Sequence, residues 1–337
     1  MSVRVQSLVL TRAEIAALMT RADCLEAVED AFRAAKEGRA NAPAPMHLPA
    51  SGGGFHAKGA NYRNRRAYAA LKLNGNFPGN PARHGLPTIQ GAILLCDAEN
   101  GALLAVMDSI EITLRRTAAA SALAARHLAR PDSTTALICG CGAQARAHVP
   151  ALTGVLPLGR FLAWDIDPSA ARSFAEEVSG AHGVEAHVAL SLSEAARASD
   201  VIVTCTTARE PFLAREHISP GTFIAAVGAD SPEKNEIAPE LMAAARIVAD
   251  AAAQCEVMGD LRHARAAGAI DAERPIPELG DILVGGAPGR ADAEEITLFD
   301  STGTALQDAA SAAIVYEHAV ARGAGARFDF GAVNPGS

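Results

Sequence analysis

A doubly wound α/β fold is the architecture this sequence predicts, and three observations predict it. Short apolar runs at residues 136–139, 160–164, 201–204, 222–227 and 246–249 alternate with segments of helical character. Such alternation builds a parallel sheet with helices on both faces. The first run breaks at Gly140-x-Gly142-x-x-Ala145 and resumes as an Ala-rich helix from Ala143. The second run ends in a carboxylate, Asp165, 25 positions after Gly140. Strand, glycine turn, helix, strand and acid in that order describe the first βαβ unit of a Rossmann-type nucleotide domain.

Each part of that unit has a physical task. Glycine at 140 permits a tight turn, and glycine at 142 lets backbone N–H groups approach a pyrophosphate. Ala145 is small enough for the helix to lie close to its strand. The helix N-terminus, with the N–H groups of Ala143 and Gln144, offers unpaired donors and a partial positive charge to the phosphates. Asp165 is placed to accept hydrogen bonds from an adenosine ribose, with Asp167 as its rival and the opening of a turn as its plainer use. A carboxylate there repels a 2′-phosphate, so the expected cofactor is NAD rather than NADP.

Before this domain, Thr11-Arg-Ala-Glu14 and Thr20-Arg-Ala-Asp23 are capping boxes that open two helices, the second running to about Lys36 and stopping near Gly38. Proline and glycine dominate residues 41–61, which predict short strands or loops at best. Residues 68–73 read as a strand with Lys72 in its apolar middle, and 76–81 as a turn cluster. Residues 89–97 and 103–107 read as strands paired around Glu99-Asn-Gly101. Asp108 caps a long helix from 111 to about 128 that carries Arg115 and Arg116. Pro131-Asp132 marks entry to the nucleotide domain. Beyond Asp165 a helix is expected over 169–178 and a weak strand over 185–188. A last Ala-rich helix, 303–321, is expected to leave the nucleotide domain and pack on the N-terminal one. The domains are therefore 1–130 with 306–337, a smaller α+β unit, and 131–305.

Composition narrows the function. The chain has 337 residues, 49% hydrophobic and 20% charged, with a net charge of −8. That charge, without any Lys/Arg run, argues against a nucleic-acid surface. No apolar stretch approaches the ~20 residues needed to span a bilayer, and the N-terminus lacks a signal-peptide apolar region. We expect a cytoplasmic protein. Cysteines at 24, 96, 139, 141, 205 and 255 have no metal-ligand spacing, nor do the ten histidines, so no metal is expected.

In a doubly wound sheet, ligands lie beyond the carboxyl ends of the strands. Two of these ends are small and polar. Thr204 and Thr206 can reach nicotinamide or ribose, or cap a tight turn. Val227 and Gly228 lead to Asp230, which can accept a proton or hold an ammonium. Lys72 is an interior strand lysine, costly unless it is paired or faces a polar cleft. In a cleft it binds a carboxylate or, with a lowered pKa, moves protons. Arg116 offers bidentate carboxylate binding.

Together these segments resemble one family. Leu71-Lys72-Leu, Asn76-Phe-Pro-Gly-Asn80-Pro, Gly85-Leu-Pro-Thr-Ile-Gln-Gly91, Ile112-Thr-Leu-Arg-Arg116-Thr117-Ala, the glycine turn, Gly228-Ala-Asp230-Ser-Pro-Glu-Lys234 and Phe299-Asp300-Ser301-Thr-Gly303 are similar, in order, to the ornithine cyclodeaminase/mu-crystallin family. The resemblance implies a homodimer whose N-terminal segment and last helix form a substrate and dimerisation domain. It implies hydride exchange between nicotinamide and an amino-acid Cα through an imine, ending in cyclodeamination, oxidative deamination or imine reduction. It makes Lys72 the active-site lysine, Arg116 the carboxylate ligand, Asp230 the acid near the amine, Thr117 a phosphate contact and Ser301 a neighbour of the nicotinamide. One departure stands out: Pro45 occupies a position where the family carries a basic residue. His56 and Lys58, on the following strand, are expected to replace part of that charge, with Met46 lining the pocket. A crystallin-like binding protein without turnover is the alternative. A tyrosine-dependent short-chain dehydrogenase ranks low, since the tyrosines stand only at 62, 68 and 316 and no Tyr-x-x-x-Lys pair exists.

Overall fold

Both capping boxes form. In the computed structural model, which describes residues 6–330, a first strand β1 (Ser7–Leu10) leads into α1 (Arg12–Leu18) and α2 (Arg21–Lys36). Thr11 and Glu14 cap the first helix reciprocally, as Thr20 and Asp23 cap the second. The Pro/Gly-rich stretch, expected to give little, forms β2 (Ala40–Asn41), β3 (Met46–Ala50) and an 11-residue β4 (Gly53–Arg63). Gly52, at φ +81°, turns the chain between β3 and β4. Then come β5 (Ala67–Asn76), α3 (Asn80–His84), β6 (Ile89–Asp97), β7 (Leu103–Asp108) and α4 (Ser109–Leu128). Asp108 Oδ1 accepts from the Ile110 and Glu111 N–H groups at 3.0 and 3.2 Å, capping α4 as expected.

The next elements are β8 (Thr135–Cys139), α5 (Ala143–Thr153), β9 (Arg160–Trp164), α6 (Pro168–His182), β10 (Glu185–Val188), α7 (Leu192–Arg197), β11 (Val201–Thr204), β12 (Phe223–Ala226), α8 (Pro239–Ala244), β13 (Arg246–Ala249), α9 (Ala252–Met258), α10 (Asp260–Ala266), α11 (Leu279–Leu283) and β14 (Thr297–Asp300). The chain finishes with α12 (Ala305–Arg322) and β15 (Ala326–Phe328).

Contacts divide the chain into two units. Unit 1 holds the chain up to Arg116 and from Thr304 onward, and unit 2 holds Thr117–Gly303. The first division lies inside α4 rather than at 130/131. The second half of this helix is alanine-rich and buried, and its terminal Leu128 carbonyl accepts from Thr297 Oγ1 at 2.7 Å and Arg290 Nε at 2.7 Å, both in unit 2.

Unit 2 is a seven-stranded parallel sheet in the order β10-β9-β8-β11-β12-β14-β13. The strand order reverses between β8 and β11, which makes their carboxyl ends the crevice of a doubly wound sheet. Strand β14, inserted between β12 and β13, was not anticipated from the sequence.

Unit 1 is an eight-stranded sheet in the order β15-β1-β7-β6-β5-β4-β2, with β3 paired to β4. Antiparallel register sets its two faces. Lys58 faces Lys72, which faces Ile93; His47 faces His56, which faces Asn74. These residues share the face on which α12 packs. Met46, Leu48, Phe55, Leu71, Leu73 and Leu94 lie on the opposite face and are 37–54% exposed.

Candidate active site

Three charged side chains meet inside unit 1. Lys72, on β5, is buried with its Nζ 2.5 Å from Asp308 Oδ2, and it also donates to Thr113 Oγ1 at 3.4 Å. Arg116, in the middle of α4, donates through Nε to Asp308 Oδ1 at 2.9 Å and through Nη1 to Gln307 Oε1 at 3.0 Å. Asp308 therefore bridges the two cations from the first turn of α12, an end where the helix dipole also favours a carboxylate. Burial draws the Lys72 ammonium down to about 7; Asp308 opposes this, while Arg116 and Lys58 add to it. Burial would raise the Asp308 carboxyl, but Lys72 and Arg116 outweigh it and hold the group below its usual value.

Two expectations change here. Arg116 is not an unengaged bidentate clamp, because Asp308 and Gln307 hold its Nε and Nη1 edges. Met46 does not line this cluster: strand period places it on the opposite face, 54% exposed, and puts His47 on the Lys72 face in its stead. Lys58 is half-buried beside Lys72, and the His56 ring lies against the His47 ring, tilted by 45° with centroids 4.5 Å apart. Asp308 was missed, although the signal existed. Gln307-Asp308 interrupts an otherwise alanine-rich buried helix, the same misfit that singled out Lys72.

The glycine turn of unit 2 has the shape its residues predict. Gly140 has φ +91°, and a Cβ there would press on the Cys205 carbonyl and the Thr206 methyl. Gly142 begins α5 with open space where a Cβ would stand. Ala143 is exposed, and Gln144 Oε1 is buried with no partner. The first-turn N–H groups of α5 have no intrahelical acceptor. Asp165 is tied to this turn: its Oδ2 accepts from the Cys141 N–H at 2.7 Å and its Oδ1 from the Asp167 N–H at 2.9 Å. Asp167 caps α6 through Ser169. Each Asp165 oxygen retains acceptor capacity for a ribose hydroxyl.

The neighbouring strand ends are pinned by Glu236, a residue without a signal of its own in the sequence. It is fully buried and accepts from Thr204 Oγ1, Thr206 N and Thr206 Oγ1 at 2.7 Å each, and from Gly228 N at 2.8 Å. The threonine hydroxyls and the Gly228 N–H thus point to this carboxylate. Gly228 has to be glycine, since a Cβ would collide with the same carboxylate. The Val227 N–H donates to the Thr204 carbonyl. Ser301 is buried and donates to Asp250 Oδ2 at 3.4 Å. Thr117 is buried in α4. Asp230 is exposed at the β12 mouth and paired with Lys234 at 2.6 Å. Among the described residues no group of His, Cys, Asp or Glu side chains is arranged to hold a metal, and no helix is long and apolar enough to cross a membrane.

The model of the ornithine cyclodeaminase/mu-crystallin family matches residues 5–323. Alanine dehydrogenase of Archaeoglobus fulgidus is 37% identical over 325 residues, which is 96% of this chain and 99% of that protein. Among solved structures, an archaeal alanine dehydrogenase dimer with bound NAD superposes with a TM-score of 0.92 at 38% identity, covering 96% of this chain and 99% of that one. Delta(1)-pyrroline-2-carboxylate reductase of Thermococcus litoralis, in complex with NADH and L-proline, superposes with a TM-score of 0.90 at 34% identity, covering 95% and 99%.

Proposed function

The chain belongs to the ornithine cyclodeaminase/mu-crystallin family, and on that premise we propose that it is an NAD-dependent oxidoreductase of amino and imino acids. The observation that carries this reading is the buried Lys72–Asp308–Arg116 arrangement. Two cations held around one carboxylate, on a sheet face lined with further basic groups, suit a small zwitterion or its imine.

The glycine turn fits NAD. Open backbone at Gly142 and Ala143 and the N–H groups of α5 would take the pyrophosphate, Gln144 Oε1 lacks a donor, and Asp165 would take a ribose hydroxyl. The carboxylate of Asp165 disfavours a 2′-phosphate. Thr117 and Ser301 are further proposed contacts, while Thr204, Thr206, Val227 and Gly228 would shape the mouth through their backbone. When bound, NAD supplies a hydride acceptor or donor for the substrate Cα. Arg116 still has its Nη2 edge to offer a substrate carboxylate, and the Lys72 ammonium shares that anion. Asp308 holds both cations in place. In oxidation the Cα–H bond gives up its electron pair with the hydrogen, the amine loses a proton, and a C=N bond forms. Asp230, paired with Lys234, is the proposed acceptor of that proton. The imine then meets water, a side-chain amine, or, in reverse, hydride.

The exposed apolar face of unit 1 supports a homodimer, in keeping with the dimeric archaeal relative. Six unpaired cysteines fit a reducing compartment, so the cytoplasm is the proposed location, which cell fractionation checks.

The test is a panel of amino acids with NAD, and of oxo acids with ammonia or methylamine and NADH, followed at the NADH absorbance and for released ammonia. Ammonia without net NADH identifies cyclodeamination. Lys72→Met should lower kcat/KM by about 10²–10⁴. Full turnover by that variant on any substrate found would remove Lys72 from the mechanism.

A further inference from the structure

Helix α5, whose first turn would take the pyrophosphate, lacks two of the devices that usually steady a helix start. Its N-cap is Gly142, which has no side chain to accept from the free N–H groups. Pro150 stands inside the helix and removes the N–H that would bond the Arg146 carbonyl. Other residues hold the turn instead. On its outer side Arg146 Nη1 donates to the Cys141 and Gly142 carbonyls at 2.6 and 3.1 Å. On its buried side the holder is His148.

His148 and Ser121 are both fully buried. Ser121 lies on α4 in the run Ala118-Ala-Ala-Ser-Ala-Leu-Ala-Ala125, where a hydroxyl is as much a misfit as Lys72 is in its strand. The imidazole Nδ1 is 2.8 Å from the Gln144 carbonyl, and Nε2 is 3.0 Å from Ser121 Oγ. A carbonyl only accepts, so Nδ1 carries the proton. Burial draws the imidazole down to about 4, so at neutral pH the ring is uncharged and Nε2 is a bare acceptor. Ser121 then donates its one hydroxyl proton to Nε2, and the Thr117 carbonyl at 3.3 Å is the more distant competitor. The direction of the chain is thus set, from the Ser121 hydroxyl through the imidazole to the Gln144 carbonyl.

Both ends of this chain lie at the nucleotide site. Gln144 belongs to the first turn of α5 and is itself a proposed cofactor contact. Ser121 stands one turn beyond Thr117, the proposed phosphate contact on α4. All four residues are in unit 2. A buried imidazole loses hydration that only its two hydrogen bonds return. Leucine would fill the same space without that loss, so the bonds are what the histidine contributes.

We propose that His148 is a positioning residue for the cofactor pyrophosphate: with Ser121 it locks the first turn of α5 to α4, so that the free N–H groups of α5 stay aimed at the phosphates. It touches neither cofactor nor substrate and acts through the Gln144 backbone. The inference deepens the NAD site described above and rests on it.

The experiment uses the full chain and measures three dissociation constants. NADH is read by its fluorescence, and ADP-ribose and adenosine by displacement of NADH. The variants are Ser121→Ala, His148→Asn and the two combined. Asparagine can still donate to the Gln144 carbonyl but falls short of Ser121, so each single change removes the same bond. Each should weaken NADH and ADP-ribose about tenfold, the size of one buried hydrogen bond. Adenosine, which has no phosphate, should stay within about twofold. The double variant should be no weaker than the weaker single, since the second change has nothing left to remove. Ser121→Ala deletes only a hydroxyl, and it carries the test by itself if His148→Asn does not fold. Wild-type constants in Ser121→Ala, an equal loss for adenosine, or a double variant weakened about a hundredfold would each overturn the positioning role and leave the NAD site standing. A wild-type chain that binds neither NADH nor ADP-ribose overturns the NAD site itself, and the inference falls with it.

Discussion

Lys72 shows how one buried group sets a measurable profile. Its ammonium is drawn to about 7 by burial, against the pull of Asp308. If the ammonium form grips the substrate carboxylate, kcat/KM, which reports the free enzyme, should fall as pH rises through about 7. The kcat profile should break at higher pH, because the bound carboxylate favours the charged lysine. Replacing Asp308 by Asn removes the largest influence holding the proton on Lys72, and leaves Lys72 and Arg116 facing each other without their shared anion. The kcat/KM limb should then move to lower pH by about one unit or more, and the variant should unfold with a loss of about 3–5 kcal/mol, as for other buried pairs deprived of one partner. A pH–rate series on both proteins checks this, and an unmoved limb would separate Lys72 from the observed titration. The sequence announced Lys72 through its misfit in an apolar strand. Asp308 carried the same kind of misfit, but an acid in the first turn of a helix has an ordinary explanation in the dipole, which masked it. Met46 was expected in the pocket without a register to assign its face, and a five-residue strand in a proline-rich stretch gives no sequence cue to one.

Among the elements, the strands of unit 2 were legible where three or more consecutive residues are apolar, as at β8, β11 and β12. β14 was not, although it is fully buried between two neighbours. It is four residues long, opens with Thr297 and closes with Asp300, so little apolar run remains to be seen. β4 was hidden for a different reason: glycine and polar residues occupy it, and pairing on both sides by β3 and β5 outweighs poor strand propensity. Glu236 shows what such tertiary assembly adds. It joins the ends of β11 and β12 by four hydrogen bonds, every one of them donated to it. In Glu236→Gln an amide nitrogen must face some of these donors, so at least one N–H or O–H loses its acceptor, at a cost of about 1–3 kcal/mol. The β11 and β12 mouths should loosen, and the dissociation constant for NADH, read by fluorescence titration, should rise about tenfold. An unchanged constant would show that these strand ends do not shape the nucleotide site.

At the scale of the whole molecule, the sequence rightly returns the last helix to the first unit, since α12 packs on α2, β4 and β5. That packing covers one face of the unit 1 sheet and leaves Met46, Leu48, Phe55, Leu71, Leu73 and Leu94 exposed on the other. Six large apolar side chains on a single face, spread over β3, β4, β5 and β6, form the kind of surface that a monomer rarely keeps in water. A second copy of the chain is the occupant proposed for it, and burying each side chain contributes about 1–2 kcal/mol to the association. A charge placed in the middle of that face has to be desolvated for the dimer to form, at a cost of several kcal/mol, and a two-fold contact repeats the cost on the partner. Leu73→Glu should therefore convert a sedimenting species of about twice the 34.7 kDa chain mass into one near that mass. NADH binding should survive, because Leu73 lies in unit 1 and the glycine turn in unit 2. A wild-type chain that sediments at its single mass at micromolar concentration, or a Leu73→Glu variant that stays at twice that mass, would assign this apolar face to another use.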